Sequence, residues 1–339
     1  MMDTVIGIDI GGTSVRVGRT DQQGELLALR ESPIEARRGP RAGMEKIARL
    51  IEDSLEEQGA ADRAQPVNLL GIGVGCTGPV DPVSGIVNNP YTLPTWENVP
   101  LRSWLEGRFG VPVRLENDAD AAALGEYWKG AGQGFERLYA ITVGTGIGTA
   151  LVVNGEIYRG LNGSHPEGGH QTIDPDGPQC YCGARGCWES LASGPAIARM
   201  AREMVAEYRD PDEAGHRQPE PAEMRNSALL EMDDDRIVAR TIARLAENDD
   251  PLAVKIIERA AYYFSLGVAN IVLLFTPDLI VLSGGVMKSA ALFMPTLKEV
   301  VMRFDGIVPA SEVQIRRAEL GAHAGVYGAA YSILQRLNR

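Results

Sequence analysis

No uninterrupted apolar run in this chain approaches the ~18 residues that a bilayer-spanning helix needs. The longest candidate, LGVANIVLLF, is shorter and carries Asn270, so the sequence predicts no membrane span. Basic residues are outnumbered: 33 Lys and Arg face 45 Asp and Glu, a net charge of −12. That balance argues against a nucleic-acid partner, because phosphates are gripped by a basic face. The opening MMDTVIGIDIGG has no basic stretch before its apolar one, so no signal peptide is expected. No G-x-x-x-x-G-K-[ST] occurs, which excludes a Walker-type phosphate loop. Cysteine and histidine are scarce, with four of each in 339 residues. What remains is ordinary for a globular chain, 44% apolar and 23% charged. The length exceeds one comfortable core, so two domains are the default.

The scarce residues are not scattered. Glu167 to Glu189 reads EGGHQTIDPDGPQCYCGARGCWE and holds three of the four cysteines with one of the four histidines. Cys180, Cys182 and Cys187 follow C-x-C-x4-C, and His170 precedes them. Three thiolates and an imidazole make the donor set of a closed, tetrahedral structural zinc. A disulfide or unrelated buried thiols are the alternatives, and the clustering favours metal. Closing the loop from His170 to Cys187 costs ~2.5 kcal/mol beyond a constant. Structural zinc in small peptides releases about 10–16 kcal/mol. A bound metal would therefore dictate the loop's shape and hold Glu167 and Glu189 in place. With those thiols engaged and Cys76 alone, a reducing cytoplasm is the expected compartment.

Two glycine-hinged hairpins frame the first half. Val5–Ile10 and Ser14–Thr20 read as strands joined by the Gly11-Gly12-Thr13 turn, which leaves Asp9 at a strand end. Tyr139–Val143 and Thr149–Val153 repeat the plan around Gly144-Thr145-Gly146-Ile147-Gly148. Clustered N–H groups in such turns favour anions, though similar hairpins are common in proteins that bind nothing. The run Gly73-Val74-Gly75-Cys76-Thr77-Gly78 matches G-x-G-x-x-G, yet Pro79 and Pro82 prevent the helix that a dinucleotide site requires. A ligand-touching loop and a simple turn remain open for Gly78. At the end of the strand VPVRLEN, Asn117 and Asp118 introduce an alanine-rich helix. They cap it, face a ligand crevice at the strand's carboxyl end, or both.

The second half is more uniform. A helix is expected over Ser193–Tyr208, then a polar, Pro- and Glu-rich surface insertion at about 209–235, where His216 has no role. Asp250-Pro251 starts a long core helix. LIVLSGGVM reads as a buried strand ending at Gly284-Gly285, VQIRRAEL as another, and AGVYGAAYSILQRL as a closing helix of small residues.

Taken together, DIGGT, the GxGxxGPVD loop, ENDADAAALGE, VGTGIG, ExGH at Glu167–His170, CxCGxxGCxE at Cys180–Glu189, LSGGV and the closing AGxxGAA resemble the ROK family of sugar kinases and repressors, within the actin-like ATPase superfamily. The resemblance implies an α/β chain of two actin-like (ribonuclease H-like) domains flanking an active-site cleft, with a zinc-bound loop. The domains would be 1–118, joined by a returning helix at about 323–339, and 119–322, carrying the zinc loop and the insertion. It implies an ATP-dependent hexose kinase, with glucose the first choice and N-acetylmannosamine or fructose the alternatives, and a homodimer or tetramer as the assembly. Asp118 matches the general base. Gly78, Asn117, Glu167, His170 and Glu189 match the residues around the sugar. Asp9 would hold Mg²⁺ through water, Gly11, Gly12, Thr13, Gly144, Thr145 and Gly146 would cradle the phosphates of ATP, and Gly284 and Gly285 would lie near adenosine. His170, Cys180, Cys182 and Cys187 would bind Zn²⁺, with the second nitrogen of His170 left for the sugar. Ser164-His165-Pro166 ahead of ExGH resembles fructokinase-like members, whereas the cysteine triplet is the glucokinase-like form.

Two other classes compete. A sugar-responsive repressor would carry a winged-helix segment ahead of the DIGGT hairpin, and here that hairpin begins at Asp9 on an acidic chain. A glycosidase using Asp118 and Glu167 as its carboxylate pair leaves both glycine turns unexplained.

Overall fold

The computed structural model describes residues 2–56, 66–209 and 222–338. By contact the chain divides into two compact units. The first comprises Met1–Ala140, Ala150–Pro166 and Ala318–Arg339, and the second Ile141–Thr149 and Glu167–Arg317.

The first unit is built on β1 (Met2–Ile10), β2 (Ser14–Asp21) and β3 (Leu26–Pro33), followed by α1 (Pro40–Glu56) and β4 (Val67–Cys76). The chain continues through the short β5 (Val80–Asp81) and β6 (Ile86–Val87), α2 (Leu101–Phe109), β7 (Val113–Asn117) and α3 (Asp118–Lys129). Sheet order is β3-β2-β1-β4-β7. The β1–β2–β3 meander is antiparallel, while β4 and β7 run parallel to β1. Alternate residues Ile6, Ile8 and Ile10 of β1 are fully buried in one core with Val15, Val17, Ile47, Ile72 and Leu115. Because β1, β4 and β7 are parallel, their carboxyl ends Ile10, Cys76 and Asn117 come to the same edge, where open α/β sheets bind ligands. After Cys76 the chain bends at Thr77–Gly78 into β5, and no helix opens there.

The second sheet has β8 (Arg137–Val143), β9 (Ile147–Val153), β10 (Glu156–Ile157), β11 (Leu279–Ser283) and β12 (Gln314–Arg317), in the order β10-β9-β8-β11-β12. Between β10 and β11 lie α4 (Trp188–Ala192), α5 (Gly194–Arg209), α6 (Ala239–Ala246) and α7 (Pro251–Phe275), and α8 (Ala290–Met302) follows β11. Asp250 caps α7 by accepting from Ala253 N, with Pro251 opening the helix. By length and composition α7 is apolar enough to cross a membrane, but most of that apolar stretch is buried within this fold. Its packing is that of a core helix.

The insertion also differs from a loose surface loop where it is described. Leu229 is fully buried, and Asp250 accepts from Ser227 Oγ and Ala228 N. Arg202 and Arg209 donate to the carbonyls of Asp234, Ile237, Leu230 and Met232. Side chains from α5 satisfy its backbone, a link that composition does not reveal. His216 and the rest of 210–221 lie outside the described residues.

The closing helix, α9 (Ala324–Leu337), belongs to the first unit and packs against α3, β1 and β4. Its small residues have a reason. A Cβ on Gly7, Gly73 or Gly125 would strike the carbonyl of Val326, Ala329 or Ala324, and one on Gly328 would strike that of Ala121. The helix backbones and the sheet approach closely enough that only glycine fits at those points. By contact, α3 counts with the first sheet rather than with residues 119–322.

Candidate active site and metal centre

In the first unit the strand-end edge gathers carboxylates. Asp9, near the end of β1, pairs with Arg16 across the hairpin at 3.3 Å, and Arg16 also meets Glu31 at 2.8 Å. Burial raises the Asp9 carboxyl, and Arg16 pulls it back down. Asn117 is extended and caps α3: its Oδ1 accepts from Ala119 N at 2.8 Å. Asp118 is the first residue of the helix. Burial is the main force on its carboxyl, pushing it up to about 6, with Asp9 and Asp120 adding to the rise and the Ala119 amide opposing it. A carboxylate poised near neutrality is suited to taking a proton. Beside them Cys76 is buried, and desolvation followed by Asp118 and Asp9 pushes its thiol well up, which makes it inert. Gly78 lies against the same residues, since a Cβ there would come within 2.7 Å of Asn117 Nδ2. The turn after Asp9 is closed by Gly11 N donating to Ser14 O at 2.9 Å, and Gly12 faces the Thr92 carbonyl. Asp9, Gly78, Asn117 and Asp118 are therefore neighbours, with Gly11–Thr13 attached through the hairpin.

In the second unit His170, Cys180, Cys182 and Cys187 converge, with one donor atom from each lying within 4.8 Å of the others. Cys180 Sγ is 3.6 Å from His170 Nδ1, and Cys182 Sγ is 3.5 Å from Cys187 Sγ. All four cysteines are free, so the disulfide alternative is not realised. Ligand bonds of about 2.3 Å to sulfur and 2.0 Å to nitrogen place tetrahedral donors at separations of this order. The set fits a four-coordinate metal with no open position.

Several contacts hold this strap. Trp188, between Cys187 and Glu189, is fully buried, stacks on Phe264 with centroids 5.6 Å apart, and lies against Gly267 of α7. Gln171, next to His170, accepts from Asn270 Nδ2 at 2.8 Å. The glycine turn is built into the same assembly. Glu189 Oε2 accepts from Ile147 N at 2.8 Å, and a Cβ on Gly146 would collide with that carboxylate. Gly168 N donates to Thr149 Oγ1 at 3.0 Å. Glu167 O accepts from His170 N. Glu167, His170, Glu189 and the Gly144–Gly146 turn thus share one locality. Gly144 O accepts from Gly194 N at 2.9 Å, tying the turn to the start of α5. Gly284 has φ +92° and abuts Val143, whereas Gly285 faces open space.

Sequence reasoning missed Tyr181. It is largely exposed, and its hydroxyl lies 3.0 Å from His170 Nε2, the nitrogen expected to be left for a sugar. Partial desolvation, then Glu189, Cys180 and Glu167, push the phenol up to about 12, so it stays protonated. It stands between Cys180 and Cys182, whose spacing carries the more specific signal. Arg159 was missed too: its guanidinium meets Glu116 and Asp120, on either side of Asn117 and Asp118. Those partners lie some forty residues earlier in the chain, and no local pattern announces the pairing.

The sequence profile of the ROK family matches residues 5–336. The glucokinase of Thermotoga maritima is 33% identical, over 98% of both chains. The ROK hexokinase of Thermus thermophilus superposes with a TM-score of 0.76 at 32% identity, covering 99% of this chain and 100% of that one. A ROK family glucokinase from Streptomyces griseus, solved in complex with glucose and AMPPNP, gives a TM-score of 0.69 at 30% identity over 98% and 99% of the two chains.

Proposed function

The chain belongs to the ROK family, and from that premise we propose that it is an ATP-dependent hexose kinase converting D-glucose to glucose 6-phosphate. One observation carries the reading. Asp118 stands at a strand-to-helix junction, in an environment that lifts its carboxyl to about 6. Its Oδ1 is engaged by the Ala119 amide at 2.9 Å, leaving Oδ2 to take the proton of the sugar 6-hydroxyl as that oxygen attacks the γ-phosphorus and ADP leaves. Phosphoryl transfer asks mainly for positioning and charge stabilisation.

Asn117, Glu167, His170 and Glu189 are assigned to the sugar hydroxyls, with Gly78 keeping the backbone low beside Asn117. Several fixed polar groups are what distinguish one pyranose from another. His170 Nε2 would exchange the Tyr181 hydroxyl for a sugar hydroxyl. Gly11–Thr13 and Gly144–Gly146 are assigned to the phosphates of ATP, and Gly284–Gly285 to the adenosine side. Asp9, now paired with Arg16, would meet Mg²⁺ through water. Zn²⁺ in the Cys180, Cys182, Cys187 and His170 set would be structural, fixing the loop and thereby Glu167 and Glu189. A cytoplasmic homodimer completes the proposal.

Coupled assays with ATP across glucose, mannose, fructose and N-acetylmannosamine test it. The highest kcat/KM is expected on glucose. A higher value on N-acetylmannosamine or fructose would transfer the assignment to that sugar, and no turnover of any hexose with ATP or polyphosphate would end it.

A further inference from the structure

The junction that carries Asn117 and Asp118 is bracketed by two buried carboxylates. Glu116 is 1% exposed at the end of β7, and Asp120 is 0% exposed in the first turn of α3. One guanidinium reaches both. Arg159 Nη1 donates to Asp120 Oδ2 at 2.5 Å, and Arg159 Nη2 donates to Glu116 Oε2. The other oxygen of Glu116 accepts from Arg114 Nε at 2.6 Å, and Arg114 also donates to the Ser332 carbonyl in α9. Asp120 Oδ1 has no hydrogen-bond partner among the described residues, while Oδ2 accepts from Arg159, and His165 also acts electrostatically on this carboxyl.

These facts combine in a specific way. A buried carboxylate that loses its cation is strongly destabilising, so Asp120, and Glu116 jointly with Arg114, are held to the position of the Arg159 guanidinium. The two arms of that planar group have a fixed spread. Holding one arm on the strand and the other on the helix fixes the angle at which α3 leaves β7. Between the arms lie only Asn117, Asp118 and Ala119.

We propose that Arg159 is a positioning residue for the phosphoryl transfer, locking the junction so that the Asp118 carboxylate keeps its place. It touches neither sugar nor nucleotide in this account. The inference rests on the reading of Asp118 as the base, and its test separates the two.

The variants are Arg159→Met, Arg159→Lys, Asp118→Asn and the double variant Asp118→Asn/Arg159→Met, each assayed for kcat, for KM of glucose and ATP, and for Tm. Displacing a reacting group by about 1 Å can lower rates about 10²-fold. Arg159→Met should accordingly lose about 10²-fold in kcat while both KM values move by no more than about threefold. A lysine restores the charge but not the two-armed bridge. Arg159→Lys should recover most of the Tm and remain at least about tenfold down in kcat. In the Asp118→Asn background the methionine change should add less than about threefold, because the two residues act as one unit. Wild-type kcat in Arg159→Met or Arg159→Lys, or an undiminished Arg159→Met effect in the Asp118→Asn background, overturns the proposal. Should Arg159→Met fail to fold, Arg159→Lys decides alone. A near-normal rate in Asp118→Asn by itself removes the base and the inference with it, whereas its collapse beside a fully active Arg159→Lys removes the inference only.

Discussion

Asn117 and Asp118 share a single donor: the Oδ1 atoms of both accept from the Ala119 amide, at 2.8 and 2.9 Å. Helix cap and candidate base are thus adjacent residues on one N–H. Asparagine at position 118 can keep that hydrogen bond through its own Oδ1 while losing the ability to accept a proton. Asp118→Asn should reduce kcat roughly 10²–10⁴-fold, the usual worth of a positioned base, with the Kd for glucose within a few-fold of wild type. Steady-state kinetics with isothermal titration would show it, and a rate within threefold would remove Asp118 from the role.

The acid limb of the pH profile should reflect the same carboxyl. Below about pH 6, where burial keeps Asp118 protonated, kcat/KM should fall about tenfold per pH unit. A profile flat down to pH 4.5 contradicts this.

Stability should move in the opposite sense. The folded state holds the Asp118 proton more tightly than the unfolded chain, whose carboxyl titrates at 3.8. Its contribution is therefore fully present below that value and is lost as pH rises through about 6. Relieved of that burden, Asp118→Asn should be more stable than wild type at pH 8, by at most about 3 kcal/mol. The difference should disappear by pH 3.5. Denaturant midpoints at the two pH values provide the comparison, and equal midpoints at pH 8 would show that the carboxyl is not strained.

Removing one thiolate from the strap should release its metal. Cys182→Ser, or prolonged treatment of the wild type with a strong chelator, should lower zinc from one ion per chain to near zero by elemental analysis. The KM for glucose should rise about tenfold or more, because Glu167 and Glu189 lose their anchor. Full affinity in zinc-free protein would show the loop to be self-supporting.

Gly146→Ala is a sharper probe of the glycine turn. The added methyl collides with the Glu189 carboxylate, which now accepts from Ile147 N. Losing that charge-assisted hydrogen bond is worth about 1.5–3 kcal/mol. The KM for glucose should rise at least about tenfold, with the Tm lowered by a few degrees, and an unaltered KM would place Glu189 away from the sugar.

Much of this was legible before any coordinates, for physical reasons that differ by residue. Asp9 and the two glycine turns were visible because hairpins are local. The cysteines and His170 stood out because few residue types bind metal and their spacing is short. Asp118 was marked by the change from strand to helix at Asn117. What stayed hidden depends on long-range pairing. The grip of Arg159 on Glu116 and Asp120 joins segments that composition cannot connect, and Leu229 finds its burial only once α5 lies over it. Tyr181 was overlooked because its neighbours in sequence carry the more specific chemistry. The buried indole of Trp188 against Gly267 likewise follows from the path of α7, not from either residue alone.

The tight seam around α9 has a consequence for how disturbance would travel. A Cβ on Gly325 would come within 2.7 Å of the Asp9 carboxylate carbon, so the start of α9 forms the floor beneath the Asp9–Arg16 pair. Any loosening of that helix from the sheet would reach this carboxylate directly, with no intervening side chain to absorb it.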